Sequence, residues 1–183
     1  RIRRETTGRF TIVADAGIVT SSAYPGRAVA GFPDGHLLIF DPRSGETLHA
    51  VDLSGGKKEF VDVDATPLLH GDLIIASSWS GGLYGIDITS GVIRWHVEGS
   101  SWAFPTRHAG QLLVVKDGQK LFRLDPKKGS VEELWVFKHR PIRDLRSVAG
   151  LLWMADGKSL HKLDLNAPDA SDRYTFLFGV SSA

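Results

Sequence analysis

The chain is 183 residues long, 42% hydrophobic and 23% charged, with a formal net charge of +1. That balance is globular, and basic residues scattered among matching acids argue against a nucleic-acid binder. With no cysteine, disulfides, thiolate zinc sites and thiol nucleophiles are excluded, and no apolar run approaches the ~18 residues of a membrane span.

In chain order, the opening RIRRETTGRF starts on Arg1 and lacks the apolar core of a signal peptide, so it reads as a cut end with any targeting signal upstream. From Gly26 onward, turn signals alternate with short apolar runs. Gly26, the pair Asp34-Gly35, the run LLIF and the segment DPRSG (41–45) form a first unit. Gly71, LIIAS, Gly81-Gly82 and DITSG (87–91) form a second. Gly110, LLVV, Asp117-Gly118 and DPKKG (125–129) form a third. Gly150, LLWM, Asp156-Gly157 and the weaker DLNAP (164–168), with Pro168 where the others have glycine, form a fourth. Strands of four to six residues bounded by such turns are consecutive antiparallel hairpins, and helical periodicity is nowhere sustained.

The segments that open on Asp41, Asp87, Asp125 and Asp164 have a local chemistry. The Asp carboxylate accepts hydrogen bonds from backbone N–H groups a few residues on, and Gly45, Gly91 and Gly129 supply a positive φ without steric cost. Pro42 and Pro126 suit the second turn position. Four strands about every 40 residues is the period of a propeller blade. The expected fold is therefore an all-β propeller of four-stranded antiparallel blades, a single partial propeller over 1–183. Its blades are placed at about 10–53, 60–98, 101–138 and 142–180.

Gly82 to Trp95 matches the PQQ-like repeat, Gly-x-Leu-Tyr-x-Ile-Asp-x-x-Ser-Gly-x-x-x-Trp. Trp95 is suited to wedge between blades with its indole N–H on a backbone carbonyl. The first copy has His49 in that place, and the third reaches Trp135 two residues late.

The stretch DVDATP (62–67), leading into that repeat, resembles the BamB family, lipoproteins of the bacterial outer-membrane β-barrel assembly machinery. AVAGFPDGHL and IRRETTG carry further similarity. The resemblance implies an eight-bladed propeller of which about four blades stand here. It implies a non-enzymatic scaffold in the periplasm, lipid-anchored at the inner face of the outer membrane by a group outside this chain. The implied partners are POTRA domains of the barrel-assembly core protein and unfolded outer-membrane proteins. It carries an acidic pair to Asp62 and Asp64 and a loop contact to Ile2 and Arg3.

From the residues alone, Asp62 and Asp64 leave several readings open. On a strand their carboxylates would share a face about 7 Å apart, as turn acids, an acid/base pair or calcium ligands. The seven histidines form no metal-binding spacing, and no Gly-x-Ser-x-Gly elbow is present. Trp79, Trp102 and Phe104 read as packing between blades. PKK (126–128) and KHRPIRDLR (138–146) read as solvated faces. No catalytic residue, cofactor or metal is expected. A quinoprotein dehydrogenase would need long insertions that the short loops lack. A sensory or adhesive propeller shares the generic features and remains the alternative.

Overall fold

The computed structural model describes residues 19–20, 22–59, 61–63, 65–137, 142–156 and 159–166, and the backbone of 172–175. Every helix or strand among them is a strand. The first sheet comprises β1 (Val19–Thr20), β2 (Ala28–Gly31), β3 (His36–Phe40) and β4 (Thr47–Asp52), and the second β5 (Leu68–His70), β6 (Leu73–Ser78), β7 (Gly82–Asp87) and β8 (Ile93–Val97). The third comprises β9 (Trp102–His108), β10 (Gln111–Lys116), β11 (Lys120–Leu124) and β12 (Val131–Val136), and the fourth β13 (Asp144–Val148), β14 (Leu151–Ala155), β15 (Ser159–Leu163) and β16 (Asp172–Thr175). Each sheet is a four-stranded antiparallel meander in chain order. First strands converge, β9 lying beside both β6 and β13, while the fourth strands are the more exposed rim.

The sheets stack face to face, so the middle strands bury both faces and read as unbroken apolar runs. In β6, Ile74 and Ala76 join the first sheet's Leu37 and Ile39, while Leu73 and Ile75 face the third sheet. In β10, Leu112 and Val114 face the second sheet, while Leu113 and Val115 pack with Leu145, Leu152 and Met154 of the fourth.

A bend joins the third and fourth strands of each of the first three sheets. Asp41 Oδ1 accepts the N–H groups of Arg43 (2.7 Å) and Ser44 (3.3 Å). Asp87 accepts those of Thr89 and Ser90 (both 2.8 Å), and Asp125 those of Lys127 (2.9 Å) and Lys128 (3.4 Å). The N–H groups of Gly45, Gly91 and Gly129 close the bends onto the carbonyls of Asp41, Asp87 and Asp125, at φ of 76°, 69° and 70°. Asp164 holds the N–H of Asn166 at 2.9 Å, and Pro168 lies outside the described residues. The Ser90 N–H foremost, then Arg94, hold the Asp87 carboxyl down at about 2 against partial burial.

Each of the first three fourth strands carries a bulge: Leu48, Arg94 and Leu134 are skipped in the pairing. The residue after the bulge points at the next sheet's bend. His49 Nε2 donates to the Thr89 carbonyl (2.9 Å), and Trp95 Nε1 donates to the Pro126 carbonyl (2.8 Å). In the third sheet the bulge itself sits two residues further on, one pleat period, so Trp135 keeps the same face. There it packs into the core that also takes Leu165, next to Asp164.

Trp95 also lies across Gly85, its partner on β7, where any Cβ would collide with the indole. Arg94, turned away by the bulge, bridges Asp72 (2.5 Å) and Asp87.

Trp95→Phe, which keeps one aromatic ring but loses the N–H and the second ring, is expected to cost about 1–3 kcal/mol in urea unfolding, and Trp95→Ala about 3–5 kcal/mol. Gly85→Ala is expected to be much less harmful in the Trp95→Ala background than in the native chain; additive losses would contradict the packing of the indole on Gly85.

Candidate functional site

The face opposite the bends is built from the turns between second and third strands and from the linkers between sheets. The linker backbone has no strand partner, so its polar groups must be satisfied elsewhere. The result is a hydrogen-bonded line that crosses all four sheets. Val63 N–H donates to the Phe32 carbonyl (3.1 Å), and Trp79 N–H to that of Asp62 (2.9 Å). Ser101 N–H donates to Trp79 (2.5 Å), and Asp117 N–H to Ser101 (3.0 Å). Ile142 N–H donates to Gly118 (2.5 Å), and Arg143 N–H to Ala155 (2.7 Å). Each linker is thus bonded to the turn before it and to the turn after it.

This line places Asp62 in an irregular linker, since residues 61–63 are not a strand. The expectation that Asp62 and Asp64 share one face of a strand is corrected for Asp62, because its carbonyl serves the Trp79 turn and not a sheet ladder. Asp62 is 5% exposed. Asp64, Ile2 and Arg3 lie outside the described residues.

Beside this linker runs a groove made of two adjoining hollows of about 430 and 300 Å³, which share Ala65, Phe104 and Arg143. Trp79 and Asp117 line the larger hollow; Thr66, Asp144 and Arg146 line the smaller. Among the described residues, three of the five non-glycine residues with left-handed φ lie here: Ser101 (61°), Phe104 (55°) and Asp117 (55°). Such backbone costs roughly 1–2 kcal/mol per residue, and bulky side chains tolerate it worst. Phe104 adopts it at the bulge where β9 loses register with β10. Strain of this kind gathers where a fold shapes a functional surface.

The three aromatic residues part company. Trp102 is buried edge-on to Phe122 (centroids 5.3 Å apart), and Phe104 packs partly into the core between the third and fourth sheets. Trp79, expected as packing, is 46% exposed at the groove mouth. Two histidines bridge sheets: His108 Nδ1 pairs with Ser147 Oγ (3.0 Å), and His70 Nδ1 accepts from Arg107 (3.2 Å), which also donates to the Leu69 carbonyl. Their matching places before turn glycines were the available signal. Among the described residues, no group of three His, Asp or Glu is placed to hold a metal.

Radially stacked meanders, the first three locked by aspartate-to-glycine bends and the first two also by a side chain hydrogen-bonded to the next blade's bend, define a β-propeller of PQQ-like repeats. Residues 12–135 match the sequence profile of the family described as "Outer membrane protein assembly factor BamB", and the chain belongs to that family. It is 31% identical to the outer membrane protein assembly factor BamB of Shewanella oneidensis over 121 residues, 63% of this chain and 30% of that protein. Its counterpart in Kangiella koreensis is 27% identical over 124 residues, 65% of this chain and 31% of that one. The chain therefore matches less than a third of the length of these relatives. The crystal structure of BamB from Moraxella catarrhalis aligns with a TM-score of 0.70 at 21% identity, covering 90% of this chain and 50% of that one. The Pan2 WD40 domain of Neurospora crassa aligns at 0.68 with 17% identity, covering 87% and 49%. These structural likenesses establish the propeller fold.

Trp79→Ala is expected to leave the urea midpoint within about 0.5 kcal/mol of the native value, as at other surface sites. Trp102→Ala is expected to cost about 3–5 kcal/mol. A large loss at Trp79 would make it a packing residue.

Proposed function

We propose that the chain is a non-enzymatic docking scaffold for the assembly of outer-membrane β-barrel proteins. In this reading it works in the periplasm, and its linker face receives a POTRA domain of the barrel-assembly core protein. The observation that carries the proposal is the family match over residues 12–135, which encloses DVDATP and the second sheet that it leads into.

The burial of Asp62 supports a division of labour between the two acids. Asp62, buried in the linker, holds the loop in shape through its backbone bond to Trp79. Asp64 is assigned the direct contact, its charge setting register and on-rate. Ile2 and Arg3 are assigned the apolar and cationic contacts that dominate interface energies. The hydrogen-bonded line across the sheets supplies rigidity, so a partner meets a preformed surface and little is lost to ordering it.

Asp64→Lys is expected to weaken binding to the POTRA domains by more than about ten-fold in a calorimetric titration, with the urea midpoint unchanged. Asp62→Asn, which keeps the shape of the buried side chain, is expected to have the smaller effect on affinity. Native affinity in Asp64→Lys would overturn the assignment.

A further inference from the structure

We propose that the groove between the second, third and fourth sheets is a binding site for an extended peptide segment that presents an aromatic side chain next to a carboxylate. Three observations converge on it. Trp79 is held by hydrogen bonds at both its N–H and its carbonyl, yet its indole is left open at the groove mouth. An exposed aromatic on an immobilised backbone gives a partner ring a large apolar contact with little ordering cost.

Arg143 stands where the two hollows meet, exposed, and among the described residues its guanidinium has no ion-pair partner. The other groove arginine, Arg146, is already engaged by both oxygens of Asp144 (3.0 and 3.2 Å). Arg143 is thus the cation that remains to receive a carboxylate in a two-pronged contact.

The floor, finally, is shaped at the expense of backbone comfort, with Ser101, Phe104 and Asp117 all left-handed. Asp117, which lines the larger hollow, offers an acceptor for a peptide N–H. The two hollows adjoin through Ala65, Phe104 and Arg143, so an extended segment suits them, with a ring against Trp79 and Phe104 and a carboxylate on Arg143. This inference does not rest on the Asp64 contact. If the peptide fails to bind while Asp64→Lys still weakens the POTRA complex, this inference alone falls.

The test is an NMR titration of the full chain with the blocked tetrapeptide acetyl-Ala-Phe-Glu-Ala-amide. Saturable shifts of the Trp79 indole N–H and the Arg143 side chain are expected, with a Kd below about 1 mM. Replacing the peptide's Glu by Gln, or introducing Arg143→Ala or Trp79→Ala, is expected to weaken binding at least about ten-fold. Trp79→Phe is expected to restore most of it, and Arg123→Ala on the rim to change nothing. No saturable shift at Trp79 or Arg143, or equal binding of the Glu and Gln peptides, would overturn the proposal.

Discussion

A peptide group that has left its sheet must still find hydrogen-bond partners, and the linker face is organised around that need. The carbonyl of Asp62 and the N–H of Trp79 answer each other, as do the carbonyl of Trp79 and the N–H of Ser101. Because each linker is tied to the turn before it and the turn after it, neighbouring blades cannot tilt without breaking buried or half-buried backbone bonds. Residues that would otherwise belong to mobile loops are thereby fixed: left-handed Ser101 is bonded at both its N–H and its carbonyl, and left-handed Asp117 through its N–H.

The opposite face achieves cohesion with side chains. There the aspartate-to-glycine bends are self-contained, and the blades are joined by His49 and Trp95 reaching across to the next bend. A bulge aims each of these residues, and the bend glycine leaves room for it: a Cβ at Gly129 would meet Trp95 at 2.7 Å, and one at Gly91 would meet His49 at 2.8 Å. The two faces therefore differ in what they can offer a partner. One is spent on locking blades together, while the other has open hollows lined by Trp79 and Arg143.

The bends were readable in the sequence because their chemistry is complete within five residues, with Asp87 and Gly91 needing nothing distant. Runs such as LIIAS were readable as strands, but which face of β6 meets which neighbour depends on sheets that come before and after it. DVDATP misleads for a physical reason. Its alternation of valine and aspartate suits a strand, yet the backbone at 61–63 is claimed by turns and runs irregularly. Trp135 looked displaced until the bulge at Leu134 was seen to move with it. Nor does the local sequence around Trp79 announce exposure, since the groove beside it is made by Ser101 and Arg143, which reach it only through folding. His70 finds its partner Arg107 across 37 residues of chain, beyond any local pattern.

Hydrogen exchange of the chain, free and bound to the POTRA domains, tests most directly whether the linker face is the working face. Slowed exchange in the complex at the amides of 61–66, Trp79 and 101–104, with the bends at 41–45, 87–91 and 125–129 unchanged, is the pattern the account predicts. Protection confined to the bends, with the linkers exchanging as in the free chain, would contradict it.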